Sequence, residues 1–225
     1  KPLFWLGETE QNSYQQVFDC SYAWHWMHIT ESFMKGKAGV DELRLALTEY
    51  LKKKLPYTNH LFFTSNHDEN SWNGTEYEKY HDAALPLAVF ACTWSGLTLT
   101  YSGQELPNYK RLKFFEKDEI QWTGKNELHN FYKTLLHLRS SFGEEVVEAQ
   151  LMHTLGDRNV IAFTKTSGSK QILVILNLSN EQQWINIAEA VAPGNYRNIF
   201  TQKEEAPSLK ELMMEPWNYL VLEKI

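Results

Sequence analysis

The sequence has only two cysteines in 225 residues, Cys20 and Cys92, both in apolar surroundings. At most one disulfide can form, and two buried thiols fit that setting better. Positive charge is also scarce. Lys and Arg number 22 against 28 Asp and Glu, a net charge of −6, and the longest basic run is Lys52-Lys53-Lys54. Such a chain lacks the concentrated positive face that nucleic acid demands. No apolar stretch reaches the roughly 18 residues that a helical bilayer crossing needs. The nearest, Ala83 to Leu99, is interrupted by Pro86, Ser95 and Gly96. An initiator Met and a leader-like charged and apolar start are missing as well, so Lys1 reads as internal to a longer polypeptide. His67 has no second His two to four positions on, and no metal site is expected in these residues. Internal repeats, low-complexity tracts and long linkers are absent too.

Aromatic residues are plentiful. Eight Trp, eleven Tyr and twelve Phe make 14% of the chain, within an apolar fraction of 43% that is ordinary for a globular protein. Most such rings fill cores, but flat rings are also what proteins stack against the apolar faces of sugars.

The pattern changes part-way along. Up to about residue 142, short apolar runs alternate with helical spacing. The runs are Leu3–Leu6, Val17–Trp24, Leu61–Thr64 and Leu97–Tyr101. The spacing predicts helices over Trp26–Met34, Asp41–Lys53, Asp82–Trp94 and Asn126–Ser140. Asp41 is placed to cap the second, and Pro56 lies just beyond its end. Strand-then-helix repetition predicts a parallel sheet covered by helices, and four such units match half of an eight-fold α/β barrel. About ten residues separate the first two runs, too few for a full crossover helix. From residue 143 on, strand-like segments at Val146–Thr154, Val160–Thr166, Ile172–Leu178, Trp184–Ile187, Tyr196–Thr201 and Tyr219–Lys224 alternate with turns such as Gly156-Asp157-Arg158-Asn159. This spacing predicts an antiparallel β-sandwich over 143–225, after an α/β domain over 1–142. Trp184 and Trp217 read as packing residues of that sandwich, with a sugar-stacking surface as the other reading.

Parallel barrels carry their chemistry where strands end. Here those ends are Gly7-Glu8-Thr9-Glu10, Ser65-Asn66-His67-Asp68-Glu69-Asn70 and Gly103-Gln104-Glu105, each delivering an acidic group to one rim. Carboxylates converging on one mouth suit glycosidic cleavage, in which a protonated acid serves the leaving oxygen while ionised groups stabilise an oxocarbenium-like transition state. Asn66 and His67 add hydrogen-bond donors for sugar hydroxyls.

The stretch from Phe62 to Gly74, centred on Asn66-His67-Asp68, resembles the fourth signature region of the α-amylase family, glycoside hydrolase family 13. Leu3 to Glu10 resembles its third region, and Leu99 to Glu105 the ending of its eighth strand. The resemblance runs the length of the chain and implies strands five to eight of a (β/α)8 barrel, a TIM barrel, followed by the family's C-terminal β domain. It implies that Glu8 is the general acid/base, that Asp68 binds sugar hydroxyls in the transition state, and that His67 bonds the same sugar. The family's nucleophile aspartate belongs to a segment upstream of these residues. The expectation is therefore an α-glucan hydrolase that is inactive as this chain alone, completed by the missing N-terminal half or by self-association. A transglycosylase of the same family and a non-catalytic glycan-binding relative are the alternatives. No cofactor is expected in this chain, and calcium is left open for the full-length protein.

Overall fold

The computed structural model describes residues 3–52, 59–142, 148–155, 159–187, 191–205 and 210–225. Lys53, Leu55 and Pro56, the start at 146–147 of the strand-like segment Val146–Thr154, and the turn residues 156–158 lie outside them. The chain forms two compact units, 1–84 with 96–126 and 85–95 with 127–225.

The first unit is built on a four-stranded sheet. Its strands β1 (Leu6–Gly7), β2 (Cys20–Tyr22), β3 (Asn59–Phe62) and β4 (Leu97–Thr98) lie side by side in that order, all parallel. Cys20 to Ala23 and His60 to Asn66 are buried without a break, as expected of parallel strands covered on both faces. Cys20, Tyr22, Met27, Leu61 and Phe63 pack as one cluster. The short link from β1 to β2 holds one tight helical turn, Asn12–Gln16, where a full crossover helix could not fit. Helices α1 (Trp24–Met34) and α2 (Val40–Lys52) follow β2. Leu43 and Leu47, four apart, are the buried stripe of α2, while Asp41 sits inside its first turn instead of capping it. Gly96 sets the entry to β4. With φ at +101°, a Cβ there would stand 2.4 Å from the His60 carbonyl oxygen, so only glycine lets β4 approach β3.

Two short helices follow β3, in a stretch whose Asn, Ser and Gly content suggests a loop. Helix α3 (His67–Trp72) starts at Asn66, whose side-chain oxygen accepts from the Glu69 N–H. Helix α4 (Glu76–Tyr80) starts with a capping box, Thr75 and Glu78 each bonding the other's backbone N–H.

In the second unit, β5 (Glu148–Leu151), β6 (Thr154–Leu155), β7 (Val160–Ser167), β8 (Lys170–Asn177), β9 (Gln183–Ile187), β10 (Tyr196–Asn198), β11 (Glu204–Glu205), β12 (Leu212–Met214) and β13 (Tyr219–Lys224) form two antiparallel sheets. Their orders are β11-β10-β13-β8-β7-β5 and β12-β9-β6. Val160, Ala162, Leu173, Ile175 and Leu222 of the larger sheet pack on Ile185, Ile187 and Met214 of the smaller. The other face of β7 carries Phe163, which meets Phe90 of helix α5 (Ala84–Thr93) and Trp94 just past its end at centroid distances of 5.9 and 4.8 Å. Helix α6 (His129–Ser141) joins them, because the Arg139 guanidinium donates to the Cys92 and Trp94 carbonyls at 3.2 and 3.4 Å. Compactness therefore groups 85–95 and 127–142 with the β-sandwich, so the predicted boundary at 142/143 does not coincide with the division of the compact units. Trp184 also departs from its packing role. It alternates with buried Ile185 and Ile187 along β9 and is 65% exposed. Trp217 is half-buried in a turn with φ of 53°. Both cysteines are buried, and neither is in a disulfide.

Candidate active site

Glu8 follows β1 directly. A Cβ at Gly7 would stand 2.5 Å from the Phe18 ring, so a larger residue there would have to displace that ring. His67 and Asp68 open α3, immediately after Asn66 has turned the chain out of the β3 extension. These two routes bring the three side chains together. One ligand atom from each of Glu8, His67 and Asp68 lies within 4.8 Å of the other two. Glu8 and His67 are exposed and Asp68 is half-buried, so a ligand from solvent can reach them. His67 Nε2 stands 3.5 Å from Asp68 Oδ1.

Beneath the cluster is Tyr22, the last residue of β2, which the sequence gives no reason to single out beyond its place at a strand end. Burial, and then the negative charges of Glu8 and Asp68, push its phenol above the ordinary tyrosine range. Its ring stacks on Trp24 at 5.2 Å and meets Phe63 edge-on at 5.4 Å. Both carboxylates therefore act on a phenol that belongs to a packed aromatic cluster.

The other predicted acids do different work. Glu10 turns inward. Its carboxylate accepts from the His25 N–H at 2.6 Å and from the Tyr50 hydroxyl, tying the loop after Glu8 to α1 and α2. Burial raises the Glu10 pKa and also that of Tyr50. Glu69 is an internal ion-pair partner, 3.0 Å from the buried Lys79 ammonium. Glu105 accepts from the Gly103 N–H at 3.1 Å within its own loop. Asn66, expected to reach sugar hydroxyls, is only 1% exposed and its side-chain oxygen caps α3 at 2.7 Å from the Glu69 nitrogen. In this position it sets the direction of His67 and Asp68, and its side chain does not reach the open face.

A buried network holds the loops beside the cluster. Thr64, just past β3, donates to Glu76 Oε2 at 2.6 Å, and Gln104, past β4, donates to the same oxygen at 2.5 Å. Desolvation raises the Glu76 pKa to about 7 despite these bonds. The Glu8–His67–Asp68 spacing would also admit a metal ion. Calcium fits it poorly, since calcium takes six to eight oxygen ligands and one of the three groups here is an imidazole.

A family profile described as "Alpha amylase, C-terminal all-beta domain" matches residues 154–214. The cyclomaltodextrinase of Thermoanaerobacter pseudethanolicus is 25% identical over 208 residues, which cover 86% of this chain and 34% of that protein. The chain is thus similar to the α-amylases. Among solved structures, a noncanonic maltogenic α-amylase of Thermotoga neapolitana superposes with a TM-score of 0.86 at 20% identity, over 100% of this chain and 55% of its own. An α-amylase of Lactobacillus plantarum gives 0.76 at 14% identity, over 96% and 50%. The chain thus spans about a third of its curated relative and about half of these amylases, and the likeness of fold extends across both of its units.

Proposed function

We propose that this chain is the strand-five-to-eight half of a (β/α)8 barrel with its C-terminal β domain, and that the whole protein hydrolyses α-glucan oligosaccharides with retention. The convergence of Glu8, His67 and Asp68 carries the reading. Relatives named as a cyclomaltodextrinase and as maltogenic and other α-amylases support maltodextrins, linear or cyclic, as the substrate class.

In this mechanism Glu8, on the exposed rim, gives its proton to the glycosidic oxygen as the bond to the anomeric carbon breaks. Later it takes a proton from the water that releases the sugar. Asp68 accepts hydrogen bonds from the hydroxyls of that sugar, and these strengthen as the ring flattens toward the oxocarbenium ion. His67 donates to the same sugar. Asn66 acts through these two by fixing the first turn of α3. Retention needs a nucleophilic carboxylate about 5 Å from the acid. The resemblance assigns that group to an aspartate outside this chain, so the chain alone is expected to be inactive.

The test is maltotriose hydrolysis by the full-length protein and by this chain, with the anomer of the product followed by NMR. The reading predicts an α-product from the full-length protein, loss of activity in its Glu8→Gln and Asp68→Asn variants, and none from the chain alone. An active chain silenced by Asp68→Asn would instead make Asp68 the nucleophile. A β-product would exclude retention.

A further inference from the structure

Three large aromatic side chains stand in solvent beside the candidate site. Trp72 at the end of α3 is 59% exposed, and Phe114 and Phe115 are 43% and 83% exposed. They touch one another. Centroid distances are 5.1 Å for Trp72–Phe114, 5.7 Å for Trp72–Phe115 and 4.9 Å for Phe114–Phe115. Phe114 continues the surface to His67, 6.5 Å away with the ring planes 22° apart. Single exposed apolar residues need no explanation, but a contiguous ring surface open to water commonly marks a binding site.

The segment that presents these rings is held on both sides. Asn70, buried in α3, donates to the Lys110 carbonyl at 3.3 Å and accepts from the Leu112 N–H at 2.8 Å, as a strand partner would. Asp118 closes the segment by pairing with the Lys110 ammonium and accepting from the Lys113 N–H at 3.1 Å. That pairing holds its carboxyl down at about 2. Arg111 adds a two-pronged contact to Glu78, at 3.1 and 2.8 Å. Rings anchored this way offer a preformed apolar surface, so little ordering opposes ligand capture.

We propose that Trp72, Phe114 and Phe115 form a stacking platform for a glucosyl unit beyond the one held at Glu8, His67 and Asp68, so that the site favours longer α-glucan chains over disaccharides. This rests on the catalytic reading above. The occupant follows from continuity. The platform adjoins the imidazole expected to bond the reacting sugar, and a chain of pyranoses presents apolar ring faces flanked by hydroxyls, as a ring platform beside polar groups requires.

The experiment uses the full-length protein with Glu8→Gln, which binds without turnover, titrated with maltose and maltoheptaose by calorimetry. Maltoheptaose is expected to bind more tightly. Trp72→Ala or Phe115→Ala should weaken maltoheptaose by about tenfold and maltose by less, while Trp72→Phe retains most of the preference. Equal affinities for the two sugars before mutation, or an unchanged ratio after it, would overturn the platform. A dimer that dissociates in Trp72→Ala with sugar affinity unchanged would also overturn it, assigning the surface to a second copy. Failure of the underlying reading is seen separately, as full hydrolytic activity in Glu8→Gln.

Discussion

Glu8 and Asp68 come within 4.8 Å of each other through one atom apiece, although the strands that lead to them, β1 and β3, are separated in the sheet by β2. The gap is bridged because Asn66 turns the chain after β3 into α3, so that Asp68 lies over the end of β2, where Tyr22 feels both negative charges.

This arrangement predicts unequal losses in the full-length protein. Glu8→Gln should lower kcat on maltotriose by about 10²- to 10⁴-fold, the usual contribution of a positioned acid/base. His67→Ala, which removes one sugar contact, should cost less. Steady-state kinetics on purified variants of matched thermal stability check the order.

The buried ion pair between Glu69 and Lys79 joins α3 to α4 beneath this surface. Lys79→Met strands the Glu69 carboxylate in the interior and should destabilise by about 3–5 kcal/mol. Adding Glu69→Gln removes the uncompensated charge and should recover much of that loss. Urea unfolding of the single and double variants measures it.

Glu76 makes stability depend on pH in an unusual direction for a carboxylate. Its pKa is about 7 in the fold against 4.5 as the reference value, so the folded protein keeps a proton that the unfolded chain releases. Between those values the unfolded state binds fewer protons, and stability falls as pH rises. Below about 4.5 the effect vanishes, and above about 7 it is complete. Glu76→Gln keeps an acceptor for Thr64 and Gln104 and should flatten this slope, raising Tm by several °C at pH 8 and little at pH 4.5. Melting curves across that range read the difference.

The edge of the parallel sheet gives a fourth expectation. Leu3 is 73% exposed, and Phe4, Trp5 and Leu6 beside it are also open to solvent on and before β1. An apolar edge of this kind invites pairing with another strand. The chain expressed by itself should self-associate at micromolar concentration, and Phe4→Lys with Trp5→Lys should return it toward 26.4 kDa in sedimentation velocity. A parent chain that stays monomeric at all concentrations would count against a missing or second partner at this edge.

Much of this was legible from period and position. The four apolar runs became the four parallel strands, and the fourfold spacing of Leu43 and Leu47 marked the buried face of α2. Glu8 and Asp68 stood out because acids recur at strand ends. Helices α3 and α4 were not legible as helices, since Asn, Ser and Gly suggest loops when a five- or six-residue helix rests mainly on its caps. The fate of Asn66 was hidden for the same reason. A capping oxygen and a sugar ligand call for the same side chain, and only burial tells them apart. The platform was illegible because Trp72 and Phe115 lie more than 40 positions apart and are brought together by tertiary contacts such as the Asn70 clamp on Lys110 and Leu112.

The most direct test of the account asks whether Glu8 supplies the proton. In full-length Glu8→Gln, α-glucosyl fluoride, whose leaving group needs little protonation, should still form the glycosyl intermediate at a rate close to the parent's, while cleavage of maltotriose collapses. Equal losses on the two substrates would contradict the assignment of Glu8 as the acid, and with it the reading of the Glu8–His67–Asp68 cluster.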